Sequence, residues 1–194
     1  MLTSLLMFFM LVSFVQQNVN PASLAAEIAD QKQRRFRAVF DREFGAERAR
    51  NEISVDTDLN LLQITFGEEI LFERGKHTLR ARGQTMLRRV ANVIRKVDDS
   101  SESPLYEQIQ IEGHTDSMHM IQPQYPHNNW ELSTARALEV LTFLTRRSDP
   151  RLSEKRMSVN GYADTRPINV LNHKKNRRIE IRIYFAGRQA RKAG

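Results

Sequence analysis

The chain has 194 residues, room for one ordinary domain plus an appendage, since domains cluster near roughly 100 to 150 residues. Its 40% hydrophobic and 27% charged residues are globular in proportion and exclude wholesale disorder, although the mean hydropathy is −0.53. The absence of cysteine excludes disulfides and thiolate chemistry, and a net charge of +7 points to polyanionic neighbours without choosing among nucleic acid, acidic lipid and cell-wall polymer.

In chain order, Leu2 to Val15 is uncharged and interrupted only by Thr3, Ser4 and Ser13. A spanning helix wants about 20 apolar residues, and a secretory signal normally opens with Lys or Arg. The tract reads as a membrane helix over residues 1–17 that starts before Met1. A signal peptide cut near Ser23-Leu24-Ala25 and a buried soluble helix are the alternatives. Residues 18–51 form an amphipathic connector, broken from the first helix at Pro21, in which Leu24, Ile28, Phe36, Val39, Phe40 and Phe44 recur at helical spacing amid Lys32, Arg34, Arg35, Arg37 and Arg42. Such a helix either packs its phenylalanines on a neighbour or lies on acidic lipid.

From residue 52 to 186 the pattern alternates. Leu61 to Phe66 has strand composition and ends at Gly67; Leu79, Met86, Leu87, Val90, Ile94 and Val97 make a helical stripe; Ile109 to Glu112 alternates like a strand up to Gly113. Leu132, Ala135, Val140, Leu141 and Leu144 give a second helix, and Met157 to Tyr162 and Ile179 to Phe185 complete the strands. The order β-α-β-α-β-β predicts an α/β two-layer sandwich with a mixed sheet, the short link between the last two strands making them antiparallel neighbours. Residues 187–194 are a basic tail.

No glycine-rich phosphate loop follows any strand, so nucleotide binding is not expected. The basic set Arg80, Arg82, Arg88, Arg89, Arg95 and Lys96 lacks interleaved aromatics, which argues against nucleic acid. His114, His119 and His127 with Asp116 match no metal-ligand spacing, and no serine, histidine and aspartate stand as a nucleophile relay, so neither metal, cofactor nor catalysis is expected. What does point to chemistry is the stretch from Glu112 to Ala137. A strand ends in Gly113-His114-Thr115-Asp116 and a helix opens near Trp130. Free N–H groups and the dipole at a helix start attract a carboxylate, Arg136 offers a guanidinium fork one turn in, and Asp116 accepts from an ammonium. That is a clamp for an amino-acid head group.

Ile111-Glu112-Gly113-His114-Thr115-Asp116, then Asn129-Trp130-Glu131-Leu132-Ser133-Thr134-Ala135-Arg136-Ala137, then Gly161-Tyr162-Ala163-Asp164-Thr165-Arg166-Pro167, then Asn176-Arg177-Arg178-Ile179-Glu180-Ile181 resemble, in order, the signatures of the OmpA/MotB-type peptidoglycan-binding domain. The resemblance covers residues 61–185 and implies an OmpA-C-like fold that binds the diaminopimelate of a stem peptide. Asp116 and Arg136 would make the contacts, Asn129 and Leu132 would line the pocket, Thr115 would support it, and Arg178 would brace it from the last strand. Ser117 to Asn128 is longer than in compact members, and His119, Gln122, Tyr125 and His127 would narrow or redirect the pocket. The Asn-Trp-Glu-Leu-Ser form is most similar to MotB-like stator subunits. That implies a non-enzymatic, single-pass inner-membrane protein with its C-terminal domain in the periplasm. It would form a homodimer inside a multi-helix MotA-like partner and take part in a proton-driven motor of flagellar or Zorya anti-phage (ZorB-like) type. The ion-carrying aspartate of such subunits aligns immediately before Met1. The alternative is an OmpA-like wall tether that conducts no ions.

Overall fold

The computed structural model describes residues 2–18, 21–58, 60–98, 106–118 and 125–185. Five strands, β1 (Ile53–Asp58), β2 (Leu61–Gly67), β3 (Tyr106–His114), β4 (Met157–Gly161) and β5 (Arg178–Phe185), form one sheet in the order β1-β2-β5-β3-β4. Alternation along the strands sends Ile53, Val55, Leu62, Ile64, Phe66, Ile109, Ile111, Ile179, Ile181, Ile183 and Phe185 to one face, where all are buried. Helices α2 (Pro21–Ala49), α4 (Ala81–Asp98) and α5 (Asn129–Thr142) cover that face, with the single turn α3 (Glu68–Leu71) leading from β2 toward α4. The opposite face carries Gln63, Gln110, Glu112, Glu180, Arg182 and Tyr184, and among the described residues no helix layer covers it.

The α/β sandwich and mixed sheet agree with the sequence expectation, but the sheet is mixed for a different reason. β4 and β5 are not neighbours: β4 pairs in parallel with β3, and β5 runs antiparallel between β2 and β3. The short link from β4 to β5 therefore crosses over β3, and the parallel pair is closed by α5. β1 was not expected from the sequence, because in Ile-Ser-Val-Asp-Thr-Asp only Ile53 and Val55 are buried and the period-two signal stops after them.

The first quarter of the chain differs from expectation in its first helix, while the second helix packs its phenylalanines on a neighbour. Helix α1 (Leu2–Asn18) forms, with Leu5 to Leu11 exposed, but its 17 residues rise only about 26 Å against a hydrocarbon core of about 30 Å. Among the described residues, no helix is long and apolar enough to cross a membrane. The described residues therefore do not support the expected membrane-spanning helix. The connector, in turn, is not separate from the folded domain. Ala29, Gln33, Phe36, Phe40 and Phe44 make one buried stripe along α2, and Phe36 meets Phe185 of β5 edge to face at 6.2 Å. Gln33 donates to the Leu61 carbonyl at 2.7 Å and Arg37 to that of Val55 at 2.9 Å, so α2 also grips the backbone of β1 and β2. Leu24 and Ile28, earlier in the stripe, stay exposed.

Candidate functional site

The site begins with two glycines. Gly113 and Gly161 are partners across the parallel β3–β4 pair, and α5 lies directly on them. A Cβ at Gly113 would sit 2.0 Å from the Ser133 carbonyl oxygen, and one at Gly161 would sit 2.1 Å from Thr134 Oγ1. Only hydrogen at both positions lets the first turn of α5 approach so closely. The Ser133 hydroxyl then accepts from the Ala163 N–H at 3.1 Å, and Thr115 N–H donates to the Ala163 carbonyl at 2.8 Å, tying helix, β3 and the segment after β4 together.

The start of α5 is fixed chemically as well. Asn128 caps it, its side-chain oxygen accepting from Glu131 N–H at 3.0 Å, while Glu131 reaches back to His127 N–H at 2.8 Å. Asn129 donates to the carbonyls of Asp116 at 3.2 Å and Met118 at 3.0 Å, pinning the chain after β3 to the helix start.

Between these elements lies a cavity of about 220 Å³ lined by Glu68, Arg74, Gly75, Thr115, Asp116, Met118, Asn129, Leu132, Arg136 and Arg177. Its floor is a chain of alternating charges. Asp116 Oδ2 accepts from Arg177 at 2.6 Å, Arg177 Nε lies 3.0 Å from Glu68 Oε2, and Glu68 Oε1 accepts from Arg136 at 2.7 Å. Arg136, only 2% exposed, also donates to the Lys76 carbonyl at 2.9 Å and lies 5.3 Å from the Phe72 ring centre. Burial lowers the pKa of Arg136 and outweighs the nearby Glu68, yet a guanidinium stays charged in any accessible pH range. Burial acts in the same direction on Arg177, but its hydrogen bond to Asp116 and the charges of Glu68, Asp116 and Glu69 prevail and raise its pKa. Two polar atoms remain uncommitted. Glu68 Oε2 is close to Arg177 but off the hydrogen-bond direction, and neither it nor the buried Thr115 Oγ1 has a hydrogen-bond partner.

Of the residues singled out in the sequence, Asp116, Arg136, Asn129, Leu132 and Thr115 meet in this cavity. Arg178 does not. It turns to the open face of the sheet, donating to Glu180 at 2.6 Å and to the Arg166 carbonyl at 3.2 Å, and it is its neighbour Arg177 that reaches the cavity. Nor do Asp116 and Arg136 touch: Glu68 and Arg177 stand between them, and the sequence marks neither as a site contact. Arg177 lies inside the Asn-Arg-Arg signature, one position before Arg178. Glu68 has no motif around it beyond following Gly67. Tyr125 and His127 pack edge to face at 6.2 Å, with His77 5.9 Å from Tyr125, and none of the three lines the cavity. His119 and Gln122 lie outside the described residues.

Comparison with known proteins agrees with this architecture. The OmpA family matches residues 71–182, more than half of the chain. The chain belongs to the OmpA family. Among curated relatives of this OmpA-family protein, the uncharacterized protein YtxE of Bacillus subtilis is 38% identical over 120 residues, covering 60% of this chain and 45% of that one. Motility protein B of Bacillus subtilis is 30% identical over 130 residues, 65% of this chain and 46% of that one. The chain thus spans about half the length of either relative. Among solved structures, the cell wall anchor of the T6SS from Pseudomonas aeruginosa is 25% identical with a TM-score of 0.62, over 75% of this chain and 96% of that one. A structure described as that of a MotB-like protein from Desulfovibrio vulgaris shares the fold, at 21% identity and a TM-score of 0.67, over 84% of this chain and 99% of that one.

Proposed function

We propose that this OmpA-family domain binds peptidoglycan by gripping the amino-acid head group of a stem peptide, diaminopimelate in the first instance. The observation that carries the reading is the charge chain from Asp116 to Arg136 on the floor of a cavity at the N-terminus of α5. A zwitterion offers both signs within a few ångströms. Its ammonium takes Asp116 and the uncommitted Glu68 Oε2, while its carboxylate takes Arg177, Thr115 Oγ1 and the helix N-terminus. Every ionised group in the floor is already held in place by its neighbour, so little ordering is needed on binding. Such an arrangement grips; it holds no nucleophile poised beside a base, and we read the role as binding, not catalysis.

The wider reading is a MotB-like stator subunit, a homodimer working with a multi-helix MotA-like membrane partner in a proton-driven motor, flagellar or Zorya-type. The likeness to motility protein B supports it. The exposed apolar residues Leu5 to Leu11 of α1 support attachment to lipid or to partner helices at the inner membrane, with the domain on the periplasmic side. A second reading, a wall tether without ion conduction, is favoured by the likeness to the T6SS cell wall anchor.

The test is titration of a diaminopimelate-containing stem peptide into the chain, with a pull-down on sacculi beside it. Asp116→Asn removes one charged hydrogen-bond partner, worth about 1.5–3 kcal/mol, and should weaken the peptide roughly 10- to 150-fold. Equal affinity in Asp116→Asn and Arg177→Gln would move the site elsewhere.

A further inference from the structure

The open face of the sheet holds a second polar cluster that the cavity does not use. Glu112 and His114 of β3 and Glu180 of β5 are each no more than 4% exposed, and one ligand-type atom from each lies within 4.8 Å of the others. His114 Nε2 is 3.6 Å from Glu112 Oε2 and 4.0 Å from Glu180 Oε1, beyond hydrogen-bond length, and neither ring nitrogen has a hydrogen-bond partner. A buried imidazole with two unpartnered nitrogens beside two carboxylate oxygens is a donor set that a bound ion would satisfy. Metal–ligand bonds of about 2.0–2.2 Å set neighbouring donors roughly 3 to 4 Å apart, and the two distances from His114 Nε2, 3.6 and 4.0 Å, lie in that range.

The outer contacts fit the same role. Arg178 donates to Glu180 Oε1 at 2.6 Å, Arg182 donates to Glu112 Oε1 at 3.3 Å, and Arg182 Nε is 3.6 Å from Glu180 Oε2, so both carboxylates are held in orientation from outside. Tyr162 stacks on the imidazole with ring centres 5.4 Å apart, and Arg166 lies 3.6 Å over Tyr162.

We propose that Glu112, His114 and Glu180 bind a divalent transition-metal ion, Zn²⁺ above all, in a structural site that staples β3 to β5. One imidazole and two carboxylates suit Zn²⁺ among the common divalent ions, with water completing the shell. The two arginines already balance the two glutamates, so the ion raises the local charge. Arg182, its side chain 27% exposed, swings toward solvent to relieve this, whereas Arg178 at 4% cannot. The staple bears on the binding cavity, because His114 lies two residues before Asp116 and Glu180 three residues after Arg177. Locking these strand ends fixes one end of the charge chain in place.

The experiment is calorimetric titration of Zn²⁺ into the full, untagged, chelator-stripped chain in detergent. One saturable site is expected, and Co²⁺ in its place should give a visible d–d absorption that Zn²⁺ removes. His114→Gln should weaken Zn²⁺ at least tenfold, and Arg182→Gln should tighten it several-fold by removing a competing charge. Should His114→Gln fail to fold, Glu112→Gln carries the same expectation. A variant with His77, His127 and His173 all changed to Gln should bind as the wild type does. No saturable site in the wild type, equal affinity in His114→Gln and Glu112→Gln, or loss confined to the surface-histidine variant would overturn the proposal.

Discussion

Substituting Gly113 by alanine tests whether the glycine pair under α5 sets the geometry of the cavity. The new Cβ would meet the Ser133 carbonyl oxygen at 2.0 Å, and real Cβ atoms essentially never come closer than 3.0 Å, so α5 must retreat by at least 1.0 Å at that point. The obstructing atom is backbone in a helix, which cannot turn aside as a flexible side chain does. Overpacking of this kind costs about 1–3 kcal/mol, and for a domain of this size each kcal/mol lowers Tm by roughly 2–4 °C. The retreat carries Asn129, Leu132 and Arg136 away from Asp116 and Thr115, which belong to the β3 side. Binding groups need to be held within about 0.5 Å, so stem-peptide affinity should fall at least tenfold even at temperatures where the variant is fully folded. Thermal unfolding and peptide titration at 15 °C separate the two effects. Gly45→Ala is the control, since nothing lies within 4 Å of a Cβ there, and it should leave peptide affinity unchanged. Wild-type Tm and wild-type affinity in Gly113→Ala would refute the reasoning.

Three further outcomes can be checked by denaturant unfolding. Phe40→Ala should cost about 3–5 kcal/mol, because Phe40 is fully buried between Phe36 at 6.1 Å and Phe44 at 4.4 Å; an unchanged unfolding midpoint would mean that α2 is a free connector after all. Glu68→Gln leaves Arg136 as a buried charge without its counter-ion and should cost about 3–5 kcal/mol, whereas the double variant Glu68→Gln/Arg136→Met should be the milder of the two; equal or additive losses would sink the pairing argument. Acid should loosen α2 from α4. The hydrogen bond from Arg89 holds the Glu47 carboxyl below its ordinary value of 4.5, against the opposing effect of burial. A carboxyl whose folded pKa is depressed contributes stability above about 4.5 and loses it as pH falls through the folded value. Stability measured from pH 6 downward should therefore drop through that acid range in the wild type and less steeply in Glu47→Gln, and parallel curves would exclude the Arg89–Glu47 pair as a cause.

Much of the fold was legible because the sheet has one apolar face. Ile109 and Ile111, or Ile179, Ile181 and Ile183, announce themselves by alternation, and the α4 stripe from Met86 to Val97 by helical spacing. What was not legible is what depends on which elements meet. β1 has only two buried side chains and gains its place by pairing with β2 and by the hold of Arg37 on the Val55 carbonyl. The connector's phenylalanines showed an apolar side, but only the position of β5 beneath them tells that the side belongs to the domain core. The order β1-β2-β5-β3-β4 likewise turns on β5 inserting between strands that precede it by more than 60 residues, which no local pattern records.

The cavity shows the same division. Asp116, Asn129 and Arg136 sit beside signatures that mark a strand end and a helix start, so their convergence follows from one local βα connection. Glu68 and Arg177 come from elements 109 positions apart and are joined by the β2–β5 pairing, in which Gly67 faces Arg178 and the Glu68 N–H donates to the Arg177 carbonyl at 3.0 Å. Strand alternation then decides their roles. Arg178 and Glu180 share the open face with His114, whereas Arg177, one residue earlier and outside the strand, turns to the cavity. One position in the Asn-Arg-Arg signature therefore separates a residue that closes the charge chain with Asp116 from one that orients Glu180 on the opposite side of the sheet. Exchanging the chemistry of the two, as Arg177→Lys against Arg178→Lys, should impair peptide binding in the first case and the stability of the β3–β5 pair in the second. Loss of peptide binding in Arg178→Lys at unchanged stability would show that this division of labour is wrong.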